Sequence, residues 1–93
     1  MRTYELITIL RVSADSTLDQ AKAALKEILD RHGAQANKDE DWGERKLHFE
    51  VDDLQTGHYL HSQLKAEPQA IKELKREMQI DRHILRFMIK RAA

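Results

Sequence analysis

Two segments with helical spacing, each flanked by segments that alternate, restrict most strongly how this chain can fold. Alternation of apolar and polar side chains has the period of a strand, whereas apolar side chains three and four residues apart lie on one face of a helix. In chain order the sequence predicts a strand at 2–12, a helix at 18–33, strands at 34–51 and 58–66, a helix beginning at Pro68, and a strand at 81–91.

This order, β-α-β-β-α-β, is that of the ferredoxin-like plan, an α+β fold with a four-stranded antiparallel sheet and two helices on one face. The chain has 93 residues, which suits a single domain over residues 1–93 with a modest core. The other face of the sheet is expected to stay open. Its expected occupants are Ile7, Ile9, Tyr59, His61, Arg86 and Met88.

Short polar and glycine-containing stretches predict where the elements begin and end. Asp15, Ser16 and Thr17 are candidate N-caps of the first helix, and we expect Ser16 to act in this way. Residues 52–57 are expected to form a turn in which Gly57 could adopt a positive φ. In the last strand, parity places Leu85 with the core and Ile84 on the open face.

The only tryptophan stands at a change of parity in the second strand. Apolar side chains occupy even positions up to Trp42 and odd positions from Leu47 onwards, and a regular strand cannot keep both sets on one face. One inserted residue restores the match, and glycine tolerates the left-handed conformation that such a bulge requires. We therefore predict a β-bulge or a sharp bend between Gly43 and Lys46 that aims Arg45 and Lys46 off the hairpin.

Composition removes several classes of function. The chain has no cysteine, which excludes disulfides, thiolate metal sites and thiol nucleophiles. Basic and acidic residues number 16 each, so net charge does not indicate a polyanion partner, although residues 38–53 are acidic and residues 81–93 are basic. No apolar run is long enough for a membrane span and no leader is evident, so a cytoplasmic protein is expected.

The polar side chains form no convincing catalytic or metal site. His58 and His61 are three apart on a strand and face opposite ways, so they cannot bind one metal ion. The serines lack a nucleophile elbow, and the scattered glycines form no phosphate loop. Neighbouring carboxylates on an extended segment also face opposite ways. We expect no catalytic residue, no metal, no cofactor and no small-molecule substrate.

The β-α-β-β-α-β order also occurs in the common RNA-recognition motif, which stacks bases on aromatic side chains of its sheet. The third strand, "GHYLHSQLKA", does not match the pattern of that motif. Recognition by base stacking of that type is not expected, whereas binding through phosphates and shape remains open.

Four stretches resemble one family. These are "MRTYELITIL", "DEDWGERKLHFEV", "GHYL" and "ILRFMIKR", and in this order they resemble the bacterial small-subunit ribosomal protein six family over nearly the whole chain. That family begins Met-Arg-x-Tyr-Glu and has, in its second strand, an acidic pair, an apolar residue, a glycine and then a basic pair. Residues 49–51, Phe-Glu-Val, depart from the usual Tyr-Pro-Ile.

The resemblance implies a non-enzymatic component of the small ribosomal subunit in the cytoplasm. It implies binding to the central domain of small-subunit ribosomal RNA as a heterodimer with ribosomal protein eighteen. At matching positions, the candidates for RNA or partner contact are Arg2, Tyr4, Arg45, Lys46 and Arg86. Tyr4 has an alternative interpretation as a core residue, and Arg45 and Lys46 as a solvated hairpin.

Two other functions remain open from the residues alone. A self-associating module could pack two open sheet faces together, which Ile7, Ile9 and Met88 favour. A small acylphosphatase-like enzyme would need an anion-binding loop with a positioned arginine and asparagine. The only asparagine is Asn37, and no such loop follows the first strand.

Overall fold

The computed structural model describes residues 1–14, 16–51 and 54–92. Its elements are β1 (Arg2–Leu10), α1 (Leu18–Arg31), β2 (Gln35–Val51), β3 (Leu54–Ala66), α2 (Pro68–Ile80) and β4 (Ile84–Arg91). The strands form one antiparallel sheet in the order β2-β3-β1-β4. This confirms the predicted ferredoxin-like α+β class. In the described part of the chain, neither helix is long and apolar enough to cross a membrane.

The core lies between the sheet and the two helices. In β1 the even-numbered side chains from Tyr4 to Leu10 are buried and the odd-numbered ones from Thr3 to Ile9 are half-buried, which confirms that the strand has a core face and an open face. From α1 and α2, residues at helical spacing close the core against β1 and β3. The helix residues buried there are Ala21, Leu25, Ile28 and Leu29 of α1 and Ile71, Leu74 and Met78 of α2.

The N-terminus of α1 is capped by Thr17. Its hydroxyl accepts the N–H of Gln20 at 3.2 Å, and the Gln20 side chain accepts the N–H of Thr17 at 3.0 Å, which completes a capping box. The prediction that Ser16 caps the helix is wrong, because Ser16 is fully buried and its Oγ lies 3.1 Å from the carbonyl of Arg11 and 2.8 Å from Nδ1 of His83. Asp15 lies outside the described residues.

The predicted turn at residues 52–57 is wrong from Leu54 onwards, because β3 already begins there. Residues 52 and 53 lie outside the described residues. Gly57 lies inside this strand, and the glycines with positive φ in the described chain are Gly33 and Gly43. A Cβ at residue 57 would overlap Cγ2 of Ile9, which belongs to the neighbouring strand β1. Glycine is therefore needed for a close approach between strands.

The expected parity of β4 is also wrong at its start. Ile9 pairs with Arg86 but Leu10 pairs with Ile84, so Leu85 is an extra residue in a bulge. The bulge turns Ile84 into the core, where it is 6% exposed, and leaves Leu85 next to Gly57. Beyond the bulge, Arg86 and Met88 lie on the open face as expected, since they pair with Ile9 and Ile7.

Candidate interaction surface on the open face of the sheet

A bulge at Trp42 shapes the part of the open face formed by β2. Asp41 pairs with Leu60 and Gly43 pairs with Tyr59, so Trp42 is the additional residue. Gly43 adopts a φ of +79°, and its N–H donates to Oδ1 of Asp41 at 2.9 Å. The prediction of a bulge between Gly43 and Lys46 is wrong in position, because the register shift lies between Asp41 and Gly43.

The strand is regular where the bulge was expected. Residues 43–46 pair in unbroken register with residues 59–56 of β3. Because successive side chains of a regular strand point to opposite faces, Arg45 lies on the open face and Lys46 on the helix side. The prediction that a bend aims both residues in one direction is wrong, since the register shift comes before them.

The rings of Trp42, His61 and Tyr59 and the guanidinium of Arg45 form a continuous stack on the open face. The Trp42 and His61 rings are 5.4 Å apart at an interplanar angle of 6°. Arg45 Cζ lies 5.4 Å from the Trp42 ring centroid and 5.9 Å from that of Tyr59, which is within the range of cation–π attraction. We call these four residues the ring stack.

Hydrogen bonds hold the ring stack on β2. The indole Nε1 of Trp42 donates to Oε2 of Glu40 at 3.2 Å, and Nε of Arg45 donates to the carbonyl of Trp42 at 3.4 Å. Gly43 pairs with Tyr59 in the register. Because glycine has no side chain, nothing from residue 43 covers Tyr59. The guanidinium is thus placed between two rings by neighbours from its own strand and from β3.

An apolar strip continues the open face beyond the ring stack. Ile7 pairs with His61 on one side and with Met88 on the other, and Ile9 pairs with Tyr59 and Arg86. Met88 is 58% exposed, which is high for a large apolar side chain. At the far end, Nζ of Lys90 lies 3.6 Å from Oε2 of Glu5. Aromatic, aliphatic and guanidinium groups therefore share one side of the sheet.

The structure brings together two of the five residues proposed from the resemblance. Arg45 and Arg86 both lie on the open face, whereas Lys46 lies on the helix side. Arg2 is exposed at the far end of the sheet, where it lines a shallow hollow together with Arg91. Tyr4 is 8% exposed and belongs to the core cluster, so its interpretation as a core residue describes its position.

Sequence reasoning missed the contact between Trp42 and His61. Without the bulge, Trp42 would not lie over β3 at this point, and alternation alone gives no sign of which ring it meets. The parity change that indicated the bulge also held a usable signal. If Trp42 is taken as the extra residue, its side chain falls on the open face together with His61.

The remaining polar clusters tie elements together. Asp41 binds the N–H of Gly43, the Nζ of Lys22 at 3.2 Å and Nε2 of His58. The N–H of Gly43, followed by Lys22 and His58, lowers the pKa of Asp41 against the opposing effect of partial burial. Among the described residues no group of three histidine or acidic side chains is arranged to hold a metal ion.

Between the helices, Glu77 of α2 joins the end of α1. Its Oε1 accepts from Nη1 of Arg31 at 2.9 Å, and its Oε2 lies 3.1 Å from Nε2 of His32. Partial burial acts to raise the pKa of Glu77, but the hydrogen bond from His32 and the charge of Arg31 outweigh it, so the pKa is lowered. This cluster is structural, because it locks the two helices to each other.

Fold and surface together define a ferredoxin-like protein with an open sheet face suited to contact with a macromolecule. The family model for ribosomal protein S6 matches residues 3–91. The small ribosomal subunit protein bS6 of Natranaerobius thermophilus is 32% identical over 92 residues, which is 98% of this chain and 96% of that protein. The chain belongs to the ribosomal protein S6 family, and it is a structural protein of the cytoplasmic small ribosomal subunit and not an enzyme.

Two further comparisons agree. The bS6 protein of Desulforamulus reducens is 36% identical over 90 residues, covering 96% of this chain and 95% of that protein. The crystal structure of 30S ribosomal protein S6 from Thermotoga maritima superimposes with a TM-score of 0.79 at 21% identity, covering 98% of this chain and 87% of that one. The family assignment removes the acylphosphatase-like alternative.

Proposed function

We propose that residues 1–93 act as a single unit that binds the central domain of small-subunit ribosomal RNA as a heterodimer with ribosomal protein eighteen. Family membership supports this proposal, and the ring stack on the open face is the observation that carries it. Its guanidinium and ring edges offer both charge and flat apolar surface, the combination enriched where proteins meet partners or single-stranded RNA.

The proposed contact residues fall into two regions. Arg45 and Arg86 lie on the open face. Arg45 lies beside the Tyr59 ring, and Arg86 pairs with Ile9, which pairs with Tyr59 on its other side. Arg2 serves the end of the sheet, with Arg91 beside it. Lys46 contacts the RNA or the partner protein from the helix side of β2. Tyr4 supports β1 from within the core and so positions Arg2.

The balance of charge explains why a heterodimer is needed. The chain has 16 basic and 16 acidic residues, so it releases few counterions when it approaches RNA alone. A basic partner protein would neutralise additional phosphates and add its own contacts. Binding of RNA by this chain is therefore expected to be weak without that partner and much tighter with it.

The deciding experiment is a gel-shift titration of a central-domain RNA fragment with and without purified ribosomal protein eighteen. We expect the presence of the partner to lower the apparent Kd by at least about tenfold. Substitution Arg45→Glu should weaken the ternary complex and reduce its salt dependence, because one phosphate-facing cation is lost. Lys72→Glu, on the exposed side of α2, is the matched control. Equal RNA affinity in both titrations would overturn the heterodimer mechanism.

Self-association through the open face is a second candidate. It is favoured by Met88, which is 58% exposed beside Ile7. Sedimentation of the purified chain tests it directly. A tight homodimer that Met88→Glu dissociates would support self-association and contradict a free open face.

A further inference from the structure

A groove of about 530 Å³ lies on the helix side of the sheet, between α1 and β2. One wall is a stripe of α1 that includes Lys22, Leu25, Lys26, Leu29 and Asp30. The other wall is formed by residues 35, 36 and 39–41 of β2, and the floor is formed by Leu60 and Ser62 of β3.

Irregular pairing of the edge strand β2 shapes this groove. As the edge strand, β2 pairs only with β3, and its bulge at Trp42 is preceded by another register shift between Ala36 and Lys38. These shifts bend an edge strand and increase its twist. The result is a channel with Leu29 and Leu60 at its base and the exposed Ala36 on its rim.

The polar groups around this apolar base are mostly acidic. Three carboxylates face the groove, Asp30, Asp39 and Asp41, against Lys22 and Lys26, a formal charge of −1. Lys22 already pairs with Asp41 at 3.2 Å, while Glu40 turns to the open face to accept from Trp42. Asp39 and Asp30 form no ion pair with the rest of the described chain, so two carboxylates flank the apolar base unpaired.

We propose that this groove receives a basic segment of the partner protein, with an aliphatic side chain against Leu29 and Leu60 and a lysine or arginine at Asp39. The inference rests on the proposed function and assigns the protein partner to this side of the sheet. Charge complementarity selects the occupant, since a surface of this sign repels phosphates and attracts a cationic peptide. A surface ion pair alone contributes little to binding affinity, and the apolar base adds buried contact area.

Fluorescence from a single labelled cysteine can report on the groove, because the chain has no native cysteine. Ala36→Cys places the label on the rim of the groove, and Lys72→Cys places the same label on the exposed side of α2. Addition of purified ribosomal protein eighteen should change the emission of the first label and leave the second unchanged. An unchanged label at residue 36 in a formed heterodimer would overturn the proposal.

Charge reversal provides the second measurement. Asp39→Lys should weaken the heterodimer about tenfold or more, as expected for a charge that faces an interfacial cation. Glu73→Lys, exposed on α2, should leave the Kd within about twofold. Circular dichroism of each variant checks that it is folded.

The outcomes separate the two proposals. If the unsubstituted chain does not bind ribosomal protein eighteen, the proposed function fails. If it binds and Asp39→Lys binds equally well, the heterodimer stands and the groove is not its docking site. If the RNA fragment alone changes the label at residue 36, the groove takes nucleic acid and the inference is wrong.

Discussion

The indole of Trp42 lies flat against the imidazole of His61, with ring centroids 5.4 Å apart and an interplanar angle of 6°. This pair joins the edge strand to its neighbour on the face that we propose for contact with ribosomal RNA. The contact depends on the bulge, because Trp42 is the one residue of β2 at this point without a partner in the register.

The Trp42–His61 contact should make the intrinsic fluorescence of the protein depend on the residue at position 61. Trp42 is the only tryptophan, and the emission of an indole depends on the groups in contact with its ring. His61→Leu removes the stacked imidazole and should therefore change the emission intensity at constant pH. His32→Gln, at the end of α1, should leave the emission unchanged. Emission that His61→Leu does not alter would contradict the stacked geometry.

Substitution of Gly43 tests whether the bulge requires a left-handed residue. Its φ is +79°, and among the described residues other than its chain neighbours no heavy atom lies within 4 Å of the position that a Cβ would occupy. The cost of a side chain is therefore conformational. Gly43→Ala should lower the free energy of unfolding by about 1–2 kcal/mol. Gly43→Asn should cost less, because asparagine tolerates this conformation.

Urea unfolding measures these effects, with Gly33→Ala as a comparison. Gly33 has a φ of +71° and equally open surroundings, so the two alanine variants should lose similar amounts. Equal stability of Gly43→Ala and the unsubstituted protein would show that the bulge can be accommodated without positive φ.

The hydroxyl of Thr8 identifies a stabilising substitution. Thr8 is 1% exposed, and its Oγ1 has no hydrogen-bond partner in the described chain. Valine has the same shape and removes the unsatisfied group, so Thr8→Val should raise the free energy of unfolding by about 1 kcal/mol. Thr3→Val, half-exposed on the same strand, should change it by less than about 0.5 kcal/mol. A loss of stability in Thr8→Val would mean that the hydroxyl is satisfied in solution.

The lowered pKa of Asp41 gives stability a specific dependence on pH. The N–H of Gly43 holds this pKa below the ordinary value of 3.8, so the unfolded chain binds the proton more readily than the folded one. The stabilisation is therefore complete above the unfolded value and is lost as the pH falls through the folded value.

Asp41→Asn isolates this contribution, since the amide oxygen can still accept from Gly43. Urea unfolding at about pH 6 and about pH 2 should show a smaller loss on acidification for Asp41→Asn than for the unsubstituted protein. Glu77→Gln provides an independent comparison for the other carboxyl with a lowered pKa. Identical losses in the unsubstituted protein and Asp41→Asn would contradict the assigned network.

Alternation and helical spacing were sufficient to predict the element order and the two faces of β1. In this strand every even-numbered side chain from Tyr4 to Leu10 is buried, so the alternation continues without a break. They failed at Leu85, since Ile84 and Leu85 are both apolar and neither marks the core. Gly57 shows a second limit, because a glycine required for close approach looks the same in a sequence as one required for a turn.

The candidate site was less accessible from sequence than the fold. The parity change at Trp42 revealed a bulge but not its end, and one residue decides whether Arg45 and Lys46 share a face. Likewise, Ser16 and Thr17 are equally good caps by residue type, and the buried contact of Ser16 with His83, 67 residues away, decided between them. Contacts distant in sequence determine such details.

The position of β1 in the sheet has a consequence during synthesis. This first strand pairs with β3 on one side and with β4 on the other, so one of its edges stays unsatisfied until residues 84–91 have been made. A chain that still lacks this segment therefore has an open strand edge, which can pair with the same edge of another copy. Synthesis of the last strand removes that edge.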